Sequence, residues 1–243
     1  MENLFDKMEF SVNMKDSSCV DKISSSLDQL QGIKSFEVDL DKQSVIVTTN
    51  LPSSIVQESL ESTGMLAVYR GQGENSVNLG AAVAILKSGH QTYGLVRFVQ
   101  KDLNSCIIDG SISKLSPFCK HAVHIHELGD LSNGCESTGD VYNPMPSTNE
   151  KIVGDLGNIS ADSKGNSIFK FIDHYIKVWD VIGRSVCLHE KDVDLKTSKH
   201  SDAGESIACG IIARSAGMLE NLKKVCTCSG KTLWEEREET RVH

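Results

Sequence analysis

The stretch His121-Ala122-Val123-His124-Ile125-His126-Glu127-Leu128-Gly129-Asp130 decides how the chain is read. On a strand, residues two apart share a face, so the imidazoles of His124 and His126 can reach one metal ion. Imidazole suits copper and zinc, and each such ligand needs its other ring nitrogen fixed by a neighbour. Taken alone, the pair is explained about as well by the polar face of a strand. Around it, short apolar runs recur between turn residues, at 82–86, 95–99, 106–108, 122–125, 167–172, 176–179, 185–188 and 208–212. Eight short strands with no convincing helix between them predict a sandwich or barrel.

Upstream the pattern differs. Met8, Phe10, Val12 and Met14 alternate with polar residues, which is the period of a half-buried strand. Ser18 and Asp21 read as a capping box opening a helix with the stripe Val20, Ile23, Leu27 and Leu30, ended by Gly32. Strand-like runs follow at 36–40 and 45–49, then a helix opened by Pro52 and Ser53 and stopped by Gly64, then a strand near 66–69. Strand-helix-strand-strand-helix-strand is the order of a ferredoxin-like unit. The glycine-rich stretch 70–76 reads as a linker, and from about Met218 the chain becomes a polar tail. The tail is expected to be mobile unless a partner or metal orders it.

More motifs follow His121–Asp130 in order: Gly134-Cys135, Tyr142-Asn143-Pro144, Gly154-Asp155-Leu156-Gly157-Asn158, Leu188-His189-Glu190-Lys191 and Ile207-Ala208-Cys209-Gly210. Together they resemble the copper-zinc superoxide dismutase family over residues 76 to about 213. The resemblance implies a Greek-key β-barrel and a disulfide between Cys135 and Cys209. It puts His124, His126 and His189 at copper positions and gives His121 a structural role. It also exposes departures. The bridging histidine is Val141, a zinc histidine is Ile152, and the other falls in 145–150, which contains no histidine. Asp155 alone of the zinc set survives, Val193 replaces an outer carboxylate, and Ser206 replaces the arginine that steers superoxide. These losses remove metal geometry and substrate attraction together, so dismutase activity and zinc binding are not expected.

Cys226-Thr227-Cys228 is the second constellation. Soft thiolates at this spacing suit Cu(I) and are also placed for thiol–disulfide exchange. An isolated pair of this kind is as readily two exposed tail cysteines. Preceded by 209–217 and followed by Thr232-Leu233-Trp234-Glu235-Glu236-Arg237, it resembles the copper chaperones for superoxide dismutase. That resemblance covers nearly the whole chain. It implies three parts: a heavy-metal-associated ferredoxin-like domain (1–72), a dismutase-like barrel (76–217) and a mostly irregular tail with the thiol pair (218–243). It further implies delivery of Cu(I) to copper-zinc superoxide dismutase in a heterodimer, with a homodimer as the alternative assembly, and a docking edge near 210–217. Cys226 and Cys228 would carry copper and promote the partner's disulfide. Metal-carrying domains of the first type have MxCxxC, whereas this chain has Met14-Lys15-Asp16-Ser17-Ser18-Cys19, which leaves Cys19 as an accessory ligand at most.

Composition narrows the classes. Twenty-five Lys+Arg against 33 Asp+Glu give a net charge of −8, which argues against a nucleic-acid surface. The apolar run 81–86 falls far short of the roughly 18 residues that span a bilayer. Met1-Glu2-Asn3-Leu4 starts no signal peptide, so a cytoplasmic protein is expected, with the mitochondrial intermembrane space a second compartment by resemblance. Of the eight cysteines, 106, 119 and 187 fall in or near apolar runs and read as core thiols. Two rival readings are a diverged dismutase using His124, His126 and His189, and a scaffold that binds the dismutase without metal.

Overall fold

The computed structural model describes residues 4–73, 78–144, 152–194, 200–221 and 230–241. It divides into two compact units, 1–78 with 216–243, and 79–215. Among the described residues no helix is long and apolar enough to cross a membrane.

The first unit is built on β1 (Asp6–Val12), α1 (Ser17–Gln29), β2 (Ile33–Asp39), β3 (Ser44–Thr49), α2 (Ser53–Ser62) and β4 (Ala67–Gly73). The strands pair antiparallel in the order β2-β3-β1-β4. Met8, Phe10 and Val12 of β1 and Val45 and Val47 of β3 are fully buried, as their period of two requires. They pack with Ile23 and Leu27 of α1 and with Val56 and Leu60 of α2. Each helix thus covers the sheet with one apolar stripe.

The start of α1 differs from the expected Ser18 box. The cap is Asp16, whose Oδ1 accepts the backbone N–H groups of Ser18 at 2.9 Å and Cys19 at 3.3 Å, and the Ser18 hydroxyl at 2.6 Å. The sequence Asp16-x-x-Cys19 puts the better acceptor two residues earlier than Ser18-x-x-Asp21 does. The Ser18 hydroxyl beside Asp16 is the largest influence holding its carboxyl below the usual range, and the Cys19 amide adds to it. The stretch expected as a linker is also partly strand: β4 runs on through Gly73, with Arg70 and Gln72 buried.

The second unit holds β5 (Ala81–Ser88), β6 (Gln91–Asp102), β7 (Ser105–Ile112), β8 (Lys120–His126), β9 (Asp155–Ser160), β10 (Ser167–Asp173), α3 (Val178–Val181), β11 (Ser185–His189) and β12 (Ser206–Ser215). Eight antiparallel strands in the order β10-β7-β6-β5-β12-β11-β8-β9 form a nearly closed barrel. Leu86, Phe98, Ile108, Ile125, Leu188 and Ile212 fill its interior.

The number of strands matches the sequence reading, but one member differs. Residues 176–179, expected as a strand, lead into the single helical turn α3. Their backbone donors go to side chains: Asp173 Oδ1 accepts from Tyr175 and Ile176 at 2.7 and 2.8 Å, and Gln100 Oε1 accepts from Val178 at 2.8 Å. Donors used in this way cannot also form a sheet ladder. The eighth strand is β9, whose apolar residues break the period of two. Leu156 and Ile159 are both buried although three apart, because the pairing with β8 shifts register and Gly157 takes φ +85°.

To the mostly irregular tail expected from sequence the structure adds α4 (Leu233–Arg241). Thr232 and Glu235 form its capping box: Glu235 Oε2 accepts the Thr232 N–H at 2.7 Å, and Thr232 Oγ1 accepts the Glu235 N–H at 3.3 Å.

Candidate functional site

His124 and His126 lie on β8, and His189 ends β11, the strand beside it. The register sets Cys187 opposite His124 and Ser185 opposite His126, so His189 and the two β8 histidines share a face. All three are buried, at 0, 3 and 1% exposure. Their ring centroids lie 4.7 Å (124–189), 5.5 Å (126–189) and 6.5 Å (124–126) apart. One nitrogen from each lies within 4.8 Å of the others. An ion held at ~2.0–2.1 Å by each imidazole needs nitrogens about this close after small rotations.

Neighbours orient the rings. His126 Nδ1 contacts the Gly139 carbonyl at 2.8 Å and Thr138 Oγ1 at 3.0 Å, which directs metal binding to its other nitrogen. Ser206 Oγ lies 3.4 Å from His189 Nδ1. His121 stands apart from this face: its Nδ1 meets the His189 carbonyl at 2.9 Å, a contact that ties β8 to the end of β11. The residue set fits one soft or borderline ion such as copper.

The positions read as departures from a two-metal site are occupied by apolar packing and local hydrogen bonds. Val141, read in place of a bridging histidine, forms a backbone bridge with His126. Asp155 Oδ1 lies 3.9 Å from His124 Nε2 and accepts the Gly157 N–H at 2.8 Å. Val193 is buried with Ala122 and Ala203, and its backbone pairs with the Asn158 side chain at 2.9 and 3.1 Å. A cleft of about 760 Å3, lined by Lys87, His126, Cys135, Glu136, Glu205 and Cys209, opens beside the histidines and the disulfide. At the described positions Val141, Ile152 and Val193, no metal-ligating side chain stands where one was read as lost.

Cys135 and Cys209 are joined, with Cα atoms 5.7 Å apart. Cys106 and Cys187 are buried thiols whose pKa values burial pushes up, which suits inert packing. Cys187 Sγ lies 3.5 Å from Thr138 Oγ1. Cys119, read as a core thiol, is instead exposed, because it sits in the turn before β8 rather than on the strand.

Cys19 is half-exposed in the first turn of α1 and lines a groove of about 420 Å3 with Lys15, Lys22 and Met65. Asp16, in the place of a first thiol, is engaged as the helix cap. This capping role was missed from sequence, although Asp followed by Ser-Ser is a readable cap signal. Cys226 and Cys228 lie outside the described residues.

The heavy-metal-associated domain family matches residues 9–65, and the copper/zinc superoxide dismutase family matches residues 92–212. The chain is 46% identical over 243 residues to the copper chaperone for superoxide dismutase of Sus scrofa, covering 95% of this chain and 88% of that one. Identity to the Homo sapiens protein of the same name is 45%, with the same coverage. The superoxide dismutase 1 copper chaperone of Saccharomyces cerevisiae is 32% identical over 245 residues, 95% of this chain and 93% of that one.

Proposed function

Since the chain belongs to the family of copper chaperones for superoxide dismutase, we propose that Cys226 and Cys228 carry its copper as Cu(I). They pass the ion to a copper-free, disulfide-reduced copper-zinc superoxide dismutase. The observation that carries this assignment is Asp16: its carboxylate is engaged in capping α1, so the first domain offers one thiolate where a carrier needs two. A single thiolate holds Cu(I) weakly, whereas a second pair of soft ligands remains at 226 and 228. Cys19 serves at most as a third sulfur. After copper has left, a two-electron oxidant such as dioxygen or a peroxide joins Cys226 and Cys228 as a disulfide; a partner thiolate attacks it, and the partner's second thiolate then breaks the mixed disulfide, leaving the partner oxidised and the tail pair reduced.

The barrel is the recognition surface in this reading. Ile211 on β12 and Leu128 after β8 are exposed, at 44 and 51%. The segments that carry them are tied to one another through 182–185: the Gly183 N–H donates to the Ile212 carbonyl at 2.9 Å, and the Ser185 hydroxyl donates to the Leu128 carbonyl at 2.7 Å. Exposed apolar side chains such as Ile211 and Leu128 support heterodimer formation with the dismutase, and a homodimer in its absence. No zinc is expected at Asp155, whose other zinc-set positions hold no histidine. A cytoplasmic location accords with this partner.

His124, His126 and His189 are the basis of the rival enzymatic reading, and they hold copper in the barrel on either account. Copper-saturated protein is expected to show negligible superoxide dismutation, because the bridging imidazole and the steering arginine are Val141 and Ser206. The same loaded protein, with excess Cu(I) chelator present, is expected to activate a copper-free dismutase that chelator-buffered copper alone does not activate. Robust dismutation abolished by His189→Ala, with no transfer, would overturn the proposal. A chain that purifies under reducing conditions without thiol-dependent copper, yet binds the dismutase, would point to the scaffold.

A further inference from the structure

Cys187 faces another cysteine across the barrel sheet. In the pairing of β11 with β12 it stands directly opposite Cys209, the residue already joined to Cys135. Residues directly opposite on antiparallel strands project from the same face, so the thiol and the disulfide lie on one side of the sheet. The Ile212 N–H donates to the Arg184 carbonyl at 2.8 Å, and pair types alternate from there, which makes 187–209 a non-hydrogen-bonded pair. Such pairs bring their Cα atoms to about 4.5 Å. A disulfide accepts Cα separations of about 4.4–6.8 Å, so β11 and β12 can be joined here with neither strand displaced.

The turn that carries Cys135 closes over the same spot. Cys187 Sγ donates to Thr138 Oγ1 at 3.5 Å, and Thr138 Oγ1 donates to the Cys135 carbonyl at 2.7 Å. Cys187 is fully buried and Cys209 nearly so, whereas Cys135 is half-buried and lines the cleft beside Lys87 and Glu205. Gly134 at φ +60° and Gly139 at φ +75° bound the turn, and at neither backbone position does a larger residue sit easily. Cys106 is as buried as Cys187, but its strand partners are Gln100 and Asp173, so no cysteine stands opposite it.

We propose that Cys187 is a third member of the barrel's disulfide centre: its sulfur attacks Cys209 Sγ, moves the bond to Cys187–Cys209 and frees Cys135 as a reactive thiol at the cleft. The attacking species is the Cys187 thiolate. The new S–S bond forms as the Cys135–Cys209 bond breaks, the electron pair leaves on the Cys135 sulfur, and the proton given up by Cys187 is regained at Cys135. One disulfide replaces another, so no oxidant or reductant is consumed. A buried thiol attacks slowly, which puts the step on the minutes-to-hours scale of uncatalysed disulfide rearrangement. The freed turn also carries Thr138, whose hydroxyl contacts His126 Nδ1 at 3.0 Å, so the same step releases one support of the histidine cluster. Cys135 then becomes a modification site for small thiol-directed reagents that enter the cleft.

The test uses the full chain in metal-free buffer, with Cys19→Ser, Cys119→Ser, Cys226→Ser and Cys228→Ser removing the other thiols that would attack the bond. Oxidised protein is incubated with iodoacetamide, quenched with acid and mapped by peptide mass. Alkylation is expected at Cys135, with Cys187 and Cys209 joined in the same molecules. Its rate is expected to fall about tenfold or more in Cys187→Ser, which keeps the Cys135–Cys209 bond. Equal alkylation of Cys135 in the two proteins, or none in either, would overturn the proposal. Independently, Cys135→Ser treated with glutathione disulfide is expected to form the Cys187–Cys209 bond while the amides of β6 and β7 stay protected from exchange. Protected amides without that bond would also overturn the proposal, and if protection is lost the alkylation comparison decides alone.

Discussion

Full-length protein carrying Cys226→Ser and Cys228→Ser is expected to bind the disulfide-reduced dismutase as tightly as the wild type and to leave it inactive. In the proposed reading docking depends on the barrel, whose exposed Leu128 and Ile211 these substitutions do not touch. Activation depends on soft ligands for Cu(I) and on a thiolate able to exchange, and serine supplies neither. Loss of a group that only supports a metal ligand costs ~10–100-fold in metal affinity or activity, and removal of both ligands should exceed that range. The measurement pairs sedimentation of the mixed complex with partner activity under chelator-buffered copper. Normal activation by the variant would remove the tail thiols from the mechanism, and failure to dock would show that the tail takes part in recognition.

The second large effect concerns the barrel. Cys135 and Cys209 are 74 residues apart in sequence, and closing a loop of that size stabilises the folded chain by about 4 kcal/mol in the chain-entropy treatment. Cys135 lies in the short 3-10 turn Gly134–Thr138, and Thr138 Oγ1 accepts from His126 Nδ1 at 3.0 Å while donating to the Cys135 carbonyl at 2.7 Å. The disulfide therefore anchors the turn that orients His126, one of the three candidate copper ligands. Cys135→Ser/Cys209→Ser is expected to lower barrel stability by about that 4 kcal/mol and to weaken copper at the histidines. Urea unfolding followed by barrel-specific exchange separates this from the first unit, whose core shares no residue with the bond. A loss below about 1 kcal/mol would mean that the reduced chain retains the loop contacts in its unfolded ensemble.

Much of this architecture is readable in the sequence, and the exceptions have physical reasons. Period-two alternation gave β1, β3 and most barrel strands, because one face of each meets a core and the other does not. It failed at β9, where the bulge at Gly157 moves Ile159 onto the face of Leu156. It also failed at 176–179, where an apolar run resembles a strand but Asp173 and Gln100 take its backbone donors. The histidine pair on β8 was open to reading because two residues on one strand must share a face. The closeness of His189 is a matter of register between β8 and β11, which no local pattern encodes. Helix caps were readable in principle: Thr232-x-x-Glu235 announces α4, and Asp16 outcompetes Ser18 as an acceptor. The ion pair between Glu61 of α2 and Arg237 of α4 joins residues 176 apart in sequence and could emerge only from the fold.

Asp16 explains more of this protein than any conserved-looking ligand does. By capping α1 it preserves the helix of a metal-carrying domain while removing one of the two thiols such a domain needs. The barrel shows a parallel pattern: it brings three histidines together and holds a disulfide, while Val141, Val193 and Ser206 stand where the resemblance to the dismutases expected a histidine, a carboxylate and an arginine. Both folds are thus retained with their original chemistry reduced, which concentrates the expected copper traffic on the tail.

Cu(I) titration of the reduced full-length protein tests this division of labour most directly, read against Cys226→Ser/Cys228→Ser and against His189→Ala. The tightest, thiol-dependent Cu(I) is expected to disappear in the cysteine variant and to persist in the histidine variant. Loss of that copper in His189→Ala, with full retention in the cysteine variant, would place the working metal in the barrel and contradict the account.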